Sequence, residues 1–261
     1  MPIRGGGGGG GGGGPVSTVI WSADFATVAD HDFKTTSTLS IEGVTFTAEN
    51  QAAQDAFAVS GGILLIDGGA SGGYNGSDFT APQLACDWAD LMAYSATGAY
   101  DPEKIYVWRM IMTVDSPQPS NSGYEGPFCG IRRNRATVGM DCHIGVYQWN
   151  YRAAKGKSTE RDNARGNTGV SNPRSFAVKY GQAGASWLVS ASDLSGEPPF
   201  AGEAINAGYM KNDLSNTGIG ITPFPDSLDL SNASCEAYIG CISKDGGSTF
   251  QYSKLELHEV G

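Results

Sequence analysis

From Thr18 onward the chain breaks into short runs of β-branched, aromatic and aliphatic residues separated by glycine, proline, asparagine and aspartate, which is the pattern of strands joined by turns. The runs Thr18 to Phe25, Leu39 to Ala48, Ala56 to Ile66, Lys104 to Val114, Val138 to Tyr151, Ser175 to Lys179, Ser186 to Ala191, Gly218 to Thr222, Cys235 to Ser243 and Phe250 to Glu259 are each predicted to be extended. From Ile105 to Met112 nearly every position is apolar, which predicts a strand covered on both faces. From Tyr252 to Val260 the pattern alternates, with Leu255 and Leu257 inward and Lys254, Glu256 and His258 outward, which predicts one wet face. Only Pro82 to Tyr94 has helical spacing, with Leu84, Trp88, Leu91 and Met92 on a common side; a buried loop or a short strand fits it equally well. Asp67 to Phe79, Ser116 to Pro127, Ala153 to Pro173 and Ser192 to Asn216 read as long irregular loops, the segments that carry function or partner contacts on a β-scaffold.

Composition sharpens this picture. At 261 residues with 40% apolar content the chain can bury a full core, and its 38 glycines favour a turn-rich all-β protein. Ten of those glycines are consecutive: Gly5, Gly6, Gly7, Gly8, Gly9, Gly10, Gly11, Gly12, Gly13 and Gly14, all candidates for assembly or attachment. Glycine loses the most freedom on ordering, so such a run does not stabilise an isolated monomer. It reads as a tether about 17 Å long as a coil, as an extended strand of about 31 Å that packs with copies of itself or between subunits, or as a linker. The chain therefore divides into a glycine-rich arm, residues 1–15, and one sandwich domain, residues 16–261.

The net charge of −10 argues against nucleic-acid binding. Residues 132 to 179 nevertheless hold ten Lys or Arg against three Asp or Glu, a local charge of +7 on a remainder of seven against twenty-four, or −17. The segment around Arg161 and Arg165 reads as an exposed basic loop, either merely solvated or docked on an acidic face of a sister subunit. No run is long enough for membrane insertion and none reads as a secretory signal, so a cytoplasmic origin is expected.

Candidate chemistry is sparse. The five cysteines form no CxxC pair, and about 20 Å of strand between Cys235 and Cys241 excludes a disulfide joining them. The three histidines offer no nucleophile geometry and no G-x-S-x-G elbow exists: His143 sits in an apolar strand, His31 in a turn and His258 on the wet face of the last strand. No cofactor or metal is expected. The nearest approach to a calcium set, Asp67, Asn75, Asp78, Asp226 and Asp229, lacks D-x-D-x-D-G spacing, and turn chemistry accounts for those residues equally well. Sugar binding needs aromatic rings beside amides or carboxylates. Tyr74 with Asn75, Trp149 with Tyr151, and Trp187 are the candidates, with core packing the alternative for both tryptophans.

Three stretches, FAVSGGILLI at Phe57 to Ile66, FAVKYGQ with WLVS between Phe176 and Ser190, and the closing GIGI, AYIG and YSKLEL patterns, resemble the concanavalin A-like or laminin-G-like jelly roll. That resemblance implies an antiparallel β-sandwich whose curved sheet carries a carbohydrate site or, in some members, a glycosidase. The E-x-D-x-E strand of the family's glucanases is absent, so no catalytic residue is assigned. The glycine run resembles those of bacteriophage tail-fibre, adhesin and other virion proteins. Together these imply a non-enzymatic structural or adhesive virion component, as capsid decoration or fibre, attached or oligomerised through the arm. Its expected partners are sister subunits, other virion proteins and host-surface glycans; a carbohydrate-binding module and a glycan-degrading enzyme are the alternatives.

Overall fold

The computed structural model describes residues 17–67, 82–113, 126–132, 141–147, 150–156, 164–167, 175–181, 184–190, 230–231, 234–242 and 249–260. The strands are β1 (Ser17–Asp24), β2 (His31–Asp32), β3 (Thr38–Ile41), β4 (Val44–Ala48), β5 (Phe57–Ser60), β6 (Ile63–Asp67), β7 (Gln83–Asp87) and β8 (Ile105–Met112), followed by β9 (Gly126–Arg132), β10 (Asp141–Tyr147), β11 (Asn150–Gly156), β12 (Ala164–Asn167), β13 (Ser175–Gly181), β14 (Gly184–Ser190), β15 (Glu236–Ile242) and β16 (Thr249–Val260). Helix α1 (Gln51–Ala56) and helix α2 (Trp88–Met92) are short insertions between them.

These strands form two eight-stranded antiparallel sheets. The first runs β14-β13-β8-β16-β6-β5-β2 and the second β12-β11-β10-β9-β15-β7-β4-β3. Strand β16 organises the first sheet: β8 lies along one edge, while β6 and then β1 share the other. A bulge at Ser253, between Tyr252 and Lys254, marks the change of partner.

Both hairpins near the N-terminus turn through two residues of positive φ, the geometry that matches strand twist. Gly61 (φ 60°) and Gly62 (φ 79°) join β5 to β6. Glu42 (φ 47°) and Gly43 (φ 77°) join β3 to β4, so the run Leu39 to Ala48 is a hairpin and not one strand. Glu42 tolerates that conformation while its carbonyl accepts from the Tyr94 hydroxyl and from Trp21 Nε1 at 3.4 Å. A Cβ at Gly43 would collide with the Tyr94 hydroxyl.

The core lies between the sheets. Trp21 stacks on Trp108 at 6.1 Å and tilts against Phe46 at 5.7 Å, joining β1, β8 and β4. Trp108 Nε1 also donates to the carbonyl of Tyr238 on β15 at 3.2 Å, a hydrogen bond from one sheet to the other. The all-β antiparallel sandwich is therefore as the hydrophobic pattern predicts. Strand β8 is buried on both faces, as its apolar run implies.

Two local expectations are corrected, and Pro82 to Tyr94 divides between its alternatives: Gln83–Asp87 is a strand paired with β15 and β4, and Trp88–Met92 coils. The four apolar residues of that run are all buried, but Leu84 gets there from a strand and Trp88, Leu91 and Met92 from the helix. The stretch from Ala153, read as a loop, instead continues β11 and contains β12, which pair with each other. His31 lies in β2, opposite Val59 of β5. The predicted strand Gly218 to Thr222 lies outside the described residues.

Candidate functional site

Of the site residues expected from sequence, Tyr151, Trp187, Arg165 and Asp67 fall within the described residues. The whole arm, Gly5, Gly6, Gly7, Gly8, Gly9, Gly10, Gly11, Gly12, Gly13 and Gly14, lies outside the described residues. So do Tyr74, Asn75, Trp149 and Arg161, together with Asp78, Asp226 and Asp229. Tyr151 lies on β11 opposite Val146 and Gly166, and Arg165 on β12 opposite Arg152, both at one flank of the second sheet. Trp187 lies on β14, the edge of the first sheet, opposite Val178. Asp67 ends β6, exposed and opposite Thr249. Among the described residues no group of three His, Cys, Asp or Glu is placed to hold a metal ion.

Strand register sorts the second sheet into two faces, because residues directly opposite each other share a side and neighbours in sequence do not. Leu84, Cys86, Cys129, Ile131, Ala237 and Ile239 belong to the core, which assigns the alternate positions to the outward face. One outward row crosses six strands as Gln83, Gly240, Phe128, Gly145, Arg152 and Arg165. The next holds Ala85, Tyr238, Gly130, His143 and Ala154. Over β15, β9 and β10 glycine and ring-bearing residues thus alternate as on a checkerboard. Gln83, Ala85 and Tyr238 are buried, so the inner half of this face is covered. The first of these rows ends on the directly opposed positions Arg152 and Arg165, like charges on neighbouring strands.

The outward face of the first sheet has different chemistry. Tyr106, Trp108, Met110 and Met112 fill the core from β8, leaving Val107, Arg109 and Ile111 on the other side. There Arg109 stands opposite Glu256, and Val107 opposite His258. Arg109 Nη1 donates to Glu256 Oε2 at 3.0 Å, and His258 Nε2 lies 3.0 Å from that same oxygen. The side chains of Arg109, His258 and Glu256 are 2%, 1% and 14% exposed. His258 is therefore buried and not on a wet face; the alternation identified its side correctly, but not what covers it.

The electrostatics follow from that burial. Desolvation pulls the Arg109 guanidinium below its usual pKa, and the charge and hydrogen bond of Glu256 restore only part of it. At Glu256 burial acts upward, but the His258 hydrogen bond and the charges of Arg109, His258 and Lys254 outweigh it and hold the carboxyl low. Arg109 Nε and Nη2 and His258 Nδ1 are buried with no hydrogen-bond partner. Lys254, next along the face, pairs with Asp24 of β1 at 3.1 Å. Burial pushes the Cys86 and Cys129 thiols up, which removes them as nucleophiles near neutral pH. The signal for this cluster was one arginine inside the apolar run IYVWRMIM, a charge that a doubly covered strand has to pair.

A cleft of about 300 Å³ lies between residues 27–31 and 39–42 and includes Asp30, His31 and Glu42. Asp30 Oδ1 accepts from the Gly61 amide at 2.9 Å, and His31 Nε2 meets the Thr36 carbonyl at 3.0 Å. Both groups hold turns in place.

No family model matches the chain, and no curated protein matches it. Among solved structures, the endo-1,3-beta-glucanase from Streptomyces sioyaensis aligns at 9% identity and a TM-score of 0.49, over 93% of this chain and 96% of that one. The CBM2 module of the evolved Dit of Lactobacillus casei BL23 phage J-1 aligns at 10% identity and a TM-score of 0.45, over 95% and 97%. A protein of unknown function from Shewanella oneidensis MR-1 aligns at 12% identity and 0.42, over 92% and 85%.

Proposed function

We propose that this chain is a non-enzymatic structural and adhesive component of a bacteriophage particle, attached or oligomerised through its glycine-rich arm and binding glycans with the outer flank of its second sheet. The observation that carries the binding half is the outward row ending Phe128, Gly145, Arg152 and Arg165, beside the row with Gly130 and His143. The row sets a ring-bearing position, Phe128, beside one that carries no side chain, Gly145, the combination that a pyranose face needs. The arginine pair adds a preference for acidic saccharides or an acidic neighbouring subunit. The assembly half rests on Gly5 to Gly14, whose lack of side chains suits threading between subunits.

Two measurements test the reading. A glycan array should retain the full chain on acidic saccharides, and Arg152→Ala with Arg165→Ala should reduce that retention at least about tenfold, the loss of roughly 1.4 kcal/mol. Light scattering should give a higher mass for the full chain than for a chain beginning at Pro15. No retained glycan together with equal monomer masses would remove both halves. Reducing sugar released from a retained polysaccharide would replace the adhesive reading with an enzymatic one.

A further inference from the structure

The outward face of the first sheet holds a guanidinium that uses only part of its hydrogen-bonding capacity. Arg109 spends Nη1 on Glu256, while Nε and Nη2, the edge that presents two parallel N–H groups, have no partner and are buried. A buried donor left unpaired is costly, and here there are two on one planar edge, plus Nδ1 of the adjoining His258. Glu256 meets the guanidinium at Nη1 only, through the same Oε2 that lies 3.0 Å from His258 Nε2. The complement to a planar two-donor edge is a planar two-acceptor group.

We propose that Arg109 and His258 form a binding site for a small organic carboxylate, received by the free Nε and Nη2 edge of Arg109. The cluster's charge explains the part of His258. Arg109 is already balanced by Glu256, so a second carboxylate requires a second positive charge. Among the described residues, the charged groups facing the site from neighbouring strands do not supply it: Lys254 is committed to Asp24, and β1 places Val19 opposite His258. Lys179 of β13 stands opposite Val107, one strand further out. His258 Nε2 lies 3.0 Å from Glu256 Oε2, so an imidazolium there supplies that charge beside the fork. Glu256, the most exposed of the three, marks the side from which solvent reaches the cluster. This site lies on the opposite side of the sandwich from the glycan row, and neither reading depends on the other.

The test titrates the full chain with sodium acetate, against sodium chloride at matched ionic strength, at about pH 5.5 and about pH 8, the two sides of histidine protonation. Acetate at about ten times its Kd should raise Tm by about 4 °C over chloride at the lower pH and by less at the higher one. Arg109→Lys keeps the charge and removes the planar fork, and should abolish the rise. Should that variant not fold, the imidazole nitrogen spectrum of the unaltered protein gives the answer, since its three histidines can be assigned. Acetate should then move the His258 Nδ1 resonance. A Tm that follows chloride, a resonance that stays fixed, or a rise set by protein concentration instead of acetate would each overturn the proposal, the last by showing that a carboxylate of another copy fills the fork.

Discussion

On the outward side of the first sheet Arg109, Glu256 and His258 form a continuous chain of contacts at 3.0 Å. On the outward side of the second, the corresponding strands put glycine beside ring and end on two opposed arginines, Arg152 and Arg165. Both faces carry positive charge on a chain whose net charge is negative, and in the first sheet register sets Glu256 directly opposite Arg109. The first face thus pairs unlike charges across neighbouring strands, while the second sets two like charges directly opposite each other. In the first sheet the arginine is buried against its carboxylate, so removal of either partner is expected to act on stability. In the second, register opposes like charges, an arrangement that detracts from stability.

The largest expected effect therefore falls on the first face. Glu256→Ala leaves Arg109 buried without its counter-charge and should cost about 3 kcal/mol, or roughly 10 °C in Tm. Gln83→Ala, the truncation of a buried but uncharged polar side chain on the second face, should cost about 1 kcal/mol. Denaturant unfolding of both variants checks the contrast. Equal losses would show that the cluster on the first sheet is not the more stabilising of the two.

Acid sharpens the same contrast. The Glu256 carboxyl titrates lower in the folded chain than in the unfolded one, because the His258 hydrogen bond and the Arg109 charge outweigh burial. Its stabilisation is therefore fully present above the unfolded carboxyl pKa and is lost as pH falls through the lower, folded value. Glu256→Gln should flatten that part of the acid limb in a plot of unfolding free energy against pH. A plot that keeps its full slope would assign the acid sensitivity to other carboxylates.

How far these faces were legible in sequence depends on what the pattern encodes. Strands β1, β8, β13, β14, β15 and β16 were readable because β-branched and aromatic residues recur along them. Strands β11 and β12 were not: NYRAAKG and ARGN are built from residues that favour loops or helices, and only pairing with β10 and with each other makes them extended. Strand β7 was merged with α2 because both are buried, which erases the period that would separate them. Alternation identified the side of β16 that carries Glu256 and His258, yet the partner of Glu256 depends on the far end of the chain meeting β8, 147 residues away in sequence at Arg109. The glycine and ring checkerboard was equally hidden, since it exists only across strands.

The smallest expected effect is the one that decides the second face. Arg165→Thr replaces one of two opposed cations with a residue favoured in strands, so stability should hold or rise by up to about 0.5 kcal/mol. The reciprocal change Arg152→Thr should behave alike, and the double variant should gain nothing further, because a repulsion ends when its first member goes. Thermal unfolding at low and high salt makes the point directly. Salt should raise the Tm of the unaltered chain relative to the variants, since it screens the same repulsion that the substitution removes. A loss of about 1 kcal/mol or more on Arg165→Thr would instead make the arginine a structural group, with an acidic partner within this chain, and the two faces would then be alike in holding their charge for the fold.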